Sequence, residues 1–106
     1  MGRRLDLHQE LVDYLGVNDG KPHVYFQPPE SVRLNYPCIL YELENGQRFR
    51  ADDRLYGYVR SYRVTIIDED PDIEHDRNFM ERFQYATFSR AYTADNLNHW
   101  VFTLYY

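Results

Sequence analysis

The sequence holds one cysteine, Cys38, in 106 residues. No internal disulfide can form, and no cage of thiolates can hold a zinc ion. Lysine is as scarce, with Lys21 alone beside eleven arginines. The five glycines form no phosphate-cradling loop, no dinucleotide fingerprint and no nucleophile elbow. No apolar run exceeds about four residues, far short of the roughly 20 a membrane helix requires. The opening stretch "MGRRLDLHQELVDYLG" mixes acidic residues into its apolar pattern, unlike a signal peptide. A soluble protein made in the cytoplasm, with no membrane partner, is expected. A basic excess is also missing. The net charge of −5 argues against tight, sequence-independent binding to nucleic acid.

What is present suits one small domain spanning 1–106. Hydrophobic residues make up 43% and charged residues 27%, ordinary for a globular chain. Tyrosine occurs eleven times. Protein interfaces enrich tyrosine and arginine and deplete lysine, because rigid rings and planar guanidinium groups bury area at low entropic cost. Base usage in a genome would also replace lysine by arginine.

Leu7, Leu11 and Leu15 recur at i, i+4 and i+8, which predicts a helix over 3–15 closed by Gly16. A short extended segment at "HVYF" is stopped by Pro28–Pro29. "YPCILYEL", residues 36–43, reads as a strand, followed by a polar loop over 44–57 turning at Asn45–Gly46. Residues 58–67, "YVRSYRVTII", read as a central strand. Asp70 and Pro71 predict a helix start, with Ile73, Phe79, Met80 and Phe83 facing a core. "ATFSRAY" is another strand, 93–98 a turn, and "HWVFTLYY" the last strand, with Trp100, Phe102, Leu104 and Tyr106 on one face. The passage from 58 to 92 is long enough for a strand–helix–strand crossover, and the short turn after it predicts antiparallel pairing. The expected class is α+β: one mixed or antiparallel sheet of about four strands, with two helices packed on one face.

Candidate chemistry is sparse. The acidic run from Asp68 to Asp76 lacks calcium-loop spacing and is interrupted by Pro71, so it reads as a strand-to-helix turn. His8, His23, His75 and His99 show no metal-ligand spacing and read as structural. Cys38 enters the apolar "CILY" run and reads as a buried small hydrophobe rather than a nucleophile. No catalytic residue, cofactor or metal is expected. The segment "RFRADDRLYGYVRSYR" interleaves arginine with aromatics, a pattern shared by protein interfaces and single-stranded nucleic-acid platforms. Asp52 and Asp53 in its middle favour the protein contact. The candidate interface residues are Arg48, Arg50, Arg54, Tyr56, Tyr58, Arg60 and Tyr62, with Val101 and Tyr105 on the outer side of the last strand.

Residues 25–71 and 88–106 carry a resemblance. Tyr25–Phe26–Gln27–Pro28–Pro29, the "YPCILYEL" strand, Ala51–Asp52, "DEDPD" and "YTADNLNHWVFTLYY" together resemble the short tail-terminator, or tail-completion, proteins of tailed bacteriophages. The resemblance implies a structural virion protein rather than an enzyme. Such proteins form a ring, typically a hexamer, on the head-proximal end of the tail tube. The ring stops tube growth and meets the head connector, so the implied partners are further copies, the major tail tube protein and a connector protein. Viral DNA would pass the lumen without specific binding. A head-completion or minor capsid role in the same neck region is an alternative. A small single-strand nucleic-acid binder using 48–63 is another, from a different class.

Overall fold

The computed structural model describes the backbone of residues 3–18, 21–31, 33–51 and 54–106, with side chains for 4–16, 22–31, 33–44 and 60–106. Helix α1 spans Arg3–Leu15. Leu7 and Leu11, one turn apart on its inner stripe, are fully buried, with Val12, Tyr14 and Leu15 packed alongside. Gly16 ends the helix at φ +85°, donating its N–H to Val12 O at 2.8 Å. Open space surrounds the position a Cβ would take there, so it is the left-handed backbone, not crowding, that calls for glycine.

A two-residue ladder, β1 (Val17–Asn18) with β2 (Lys21–Pro22), precedes the main sheet. That sheet takes β3 (Val24–Phe26), β4 (Cys38–Ala51), β5 (Arg54–Asp68), β6 (Ala86–Ala94) and β7 (Leu97–Tyr105), in the order β3-β4-β5-β7-β6. Only β3 and β4 run parallel, so the sheet is mixed. Helix α2, His75–Arg82, lies between β5 and β6. Because β7 lies between these two strands, antiparallel to each, they run parallel, as the crossover requires. The fold is α+β, with five strands in the main sheet rather than about four.

The core lies between the helices and one face of the sheet. Ile39 and Tyr41 of β4, Val64 and Ile66 of β5, and Trp100, Phe102 and Leu104 of β7 meet Leu7, Leu11, Phe79 and Phe83. The expected face of the last strand is the buried one, and Tyr106 packs at its edge. Phe79 packs against Phe102 in a tilted pair with ring centroids 4.4 Å apart, and Tyr14 meets Phe79 edge-on at 5.2 Å. The two helices therefore share this face and touch each other.

Three expectations change. Residues 44–57 are no loop: β4 and β5 continue as a paired ribbon from Asn45↔Ser61 to Ala51↔Arg54. A two-stranded ribbon that extends past the rest of the sheet has no need of apolar alternation, so its polar sequence imitates a loop. Asn45–Gly46 accordingly sits inside β4, beside a register shift between Leu43 and Asn45. Second, α2 starts at His75, not Asp70. Asp68 Oδ1 accepts the Asp70 N–H at 3.0 Å and Asp70 Oδ1 accepts the Asp72 N–H at 2.9 Å. Those side-chain turns hold the chain out of a helix until Glu74. Third, Phe79 and Phe83 face inward, but Ile73 and Met80 are exposed. Met80 follows Phe79 by about 100° of helix rotation, and Ile73 precedes the helix.

Candidate functional site

The dominant feature outside the core is the far end of the β4–β5 hairpin. The β3 ladder covers only Ile39–Tyr41 of β4, and the β7 ladder begins at Ser61 of β5. One further bonded pair follows, Arg60 with Tyr106, at 3.2 and 3.0 Å. Beyond it, residues 46–51 and 54–59 pair, among the described residues, with each other alone. At about 3.3 Å per residue this arm adds roughly 20 Å to the body. The molecule accordingly measures 49 × 26 × 24 Å. Its radius of gyration is 14.8 Å, against about 13 Å for a compact chain of this length.

The predicted interface residues divide along the hairpin. Arg48, Arg50, Arg54, Tyr56 and Tyr58 have their backbone in the arm, and their side chains lie outside the described residues. Arg60 is exposed at the arm's root. Tyr62 is not on the surface: at 1% exposure it lies in the core, 6.1 Å from the Tyr41 ring. It follows the root by two residues, on the face that meets the helices. Val101 also departs from expectation. It lies on the outer face, but at 7% exposure it is already covered. Its strand is interior to the sheet, and it sits in register between Thr65 and Arg90. Tyr105 is half-buried and paired with Ser61 on the same face.

That outer face carries mixed polar contacts. Arg63 bridges Glu42 and Glu44 across β4 and β5, at 3.0 and 2.8 Å. Gln27, Pro28, Leu40, Glu42, Arg63 and Thr65 line a shallow depression beside this bridge. Farther across, a bulge between Phe88 and Arg90 turns the rest of β6 over. Tyr92 stacks on His99 at 4.6 Å, and the Arg90 guanidinium lies 5.1 Å from the Tyr92 ring. No sequence spacing announces this cluster, because the bulge brings it together.

Sequence reasoning also missed a buried polar chain. His75 Nε2 lies 3.0 Å from Asp68 Oδ2, and His75 Nδ1 lies 3.1 Å from the Tyr14 hydroxyl. The Asp68–His75 pair is almost wholly buried, and the imidazole packs edge-on against Trp100 at 4.8 Å. Burial, with a smaller effect of Asp76, pushes the Tyr14 hydroxyl up to about 12. The arrangement resembles a nucleophile–base–orienter relay, but the hydroxyl is held at the helix–helix contact with its pKa raised, opposite to what a nucleophile needs. It ties α1, α2 and the end of β5 together.

Cys38 is buried, and burial raises its thiol to about 12, with Asp68 adding to the shift. The packing role read from "CILY" is the one it has. The acidic run is the strand-to-helix turn expected, with its Asx contacts made internally. Among the described residues, no group of three or more His, Cys, Asp or Glu converges to hold a metal ion. Among them, too, no helix is long and apolar enough to cross a membrane.

No protein-family model, no curated protein and no solved structure matches this chain.

Proposed function

We propose that the chain is a structural protein of a tailed-phage neck. Copies close into a ring, typically a hexamer, that caps the head-proximal end of the tail tube. The ring stops tube growth and offers its other side to the head connector. The observation that carries this reading is the arm, a ribbon outside the body whose strands pair with no further strand among the described residues. Isolated two-stranded ribbons are marginal in water, so an element of this kind suits a protein that assembles. Support also comes from the resemblance in "YFQPP", "YPCILYEL", "DEDPD" and "YTADNLNHWVFTLYY". The chain's net charge of −5 suits a lumen through which DNA slides without adhering. No catalytic residue is assigned.

The test is to add the chain to polymerising tail tube protein and image the product by electron microscopy. The expected result is shorter tubes, each with one end closed by a ring of this chain. Tubes of unchanged length with bare ends would overturn the reading.

A further inference from the structure

The arm differs from the rest of the molecule in charge as well as in packing. Residues 46–60 of the sequence contain Arg48, Arg50, Arg54 and Arg60 against Asp52 and Asp53, four positive charges less two negative or a net +2, within a chain of net charge −5. Strand β5 connects this region to the opposite end of the molecule. It begins in the arm at Arg54 and ends at Asp68, about 46 Å away at strand spacing, nearly the whole 49 Å long axis. There the chain exposes Glu69, Asp70, Asp72 and Glu74. Glu74 is engaged by Arg77 at 2.9 Å, and Asp70 accepts the Asp72 N–H. The carboxylates of Glu69 and Asp72 take no part in those contacts. The protein is a rod with a basic arm at one end and an acidic surface at the other.

We infer that the arm is the joint between successive copies of this chain: the arm of one copy docks on the acidic far end of the next. Charges of opposite sign at opposite ends make the contact heterologous, so it repeats from copy to copy and closes as a ring when the rotation allows. The arm gains the cover a lone ribbon lacks, and the charge pattern sets the direction of docking and disfavours arm-to-arm encounters. The inference rests on the ring reading and names the contact that builds the ring.

A charge swap tests it. One variant carries Arg50→Glu with Arg54→Glu, a second carries Glu69→Arg with Asp72→Arg, and a third carries all four. Arg50 and Arg54 have their backbone in the arm, and Glu69 and Asp72 are exposed, so melting temperatures should match the parent and establish that each variant is folded. Sedimentation equilibrium over a wide concentration range, at low and high salt, reads association. The expected result is salt-sensitive assembly beyond a dimer in the parent, weakened roughly ten-fold or more in each of the first two variants. The four-fold variant regains it, because its ends are again complementary. A parent that stays monomeric at every concentration overturns the inference, as does a closed two-fold dimer or reversals without effect or without rescue. Binding of a single-stranded oligonucleotide by the monomer, lost on arm reversal, would assign the arm to nucleic acid and overturn it too. Assembly that ignores the arm refutes this joint but leaves the ring reading standing. Rescue of assembly by a chain that does not cap tubes refutes the ring reading alone.

Discussion

Between the end of β5 and the start of α2, the His75 ring reaches Asp68 on one side and the Tyr14 hydroxyl on the other. Replacing it by alanine takes a partner from a nearly buried carboxylate and from a half-buried hydroxyl at once. His75→Ala should cost about 3 kcal/mol, measured as a lower urea midpoint with little change in slope. Cys38 gives a second expectation. With its thiol raised to about 12 and its side chain buried, it should ignore a thiol reagent at pH 8 in the native protein. In denaturant it should react fully. His8 gives a third. Its Nδ1 lies 2.7 Å from the Tyr41 hydroxyl, and burial, then the nearby Arg4, holds its pKa below the ordinary value of 6.5. The unfolded chain therefore binds the proton more readily. His8's contribution to stability is complete above pH 6.5 and is lost as pH falls through its folded value. Thermal melts from pH 7.5 down to 5 should show this decline, and His8→Gln should flatten it. None of these partnerships is legible from residue spacing: Tyr14 and His75 are 61 positions apart.

At the scale of elements, what was legible depended on whether a core lay against the element. Helix α1 and β7 carry patterns that a buried face imposes, and they fall within two residues of where the periodicity of leucines and aromatics puts them. Strand β6 is exposed beyond Phe88, and the turn expected over 93–98 tightens to Asp95–Asn96. The arm's strands, which extend past the rest of the sheet, read as a loop. Asp95 and Asn96, both at positive φ, close the β6–β7 turn in the tight form that suits twisted hairpins. The arm should be separable from the fold. Replacing 47–59 by an Asn-Gly turn retains the Gly46↔Arg60 pair at the root and leaves every core residue in place. The shortened chain should melt within a few degrees of the parent by circular dichroism, while losing self-association. A collapse of the melting temperature would show that the arm belongs to the folding unit.

At the scale of the molecule, residues 104–106, the end of β7 and the residue after it, join three regions. Leu104 is buried in the core, the Tyr106 hydroxyl donates to Glu10 of α1, and the Tyr106 backbone pairs with Arg60 at the root of the arm. Removing Leu104–Tyr106 deletes a core side chain and uncovers β5 where the arm leaves the body. The truncated chain should be insoluble or lack a cooperative melt. A soluble truncation with a cooperative transition would show this strand end to be dispensable.

Sequence by itself determined the class of the fold and most of its core, because burial forces apolar residues into periods of 3.6 or 2 that remain visible in one dimension. It also determined the bias toward arginine and tyrosine. Only the tertiary structure decided where that bias is used. Tyr62 and Val101, read as interface residues, are buried, because their positions in the sheet place them beneath α-helical cover or between neighbouring strands. Arg48, Arg50 and Arg54 instead belong to strands that outrun their neighbours. How far two strands continue past the rest of the sheet depends on where the others stop, a relation between distant segments that no local pattern records.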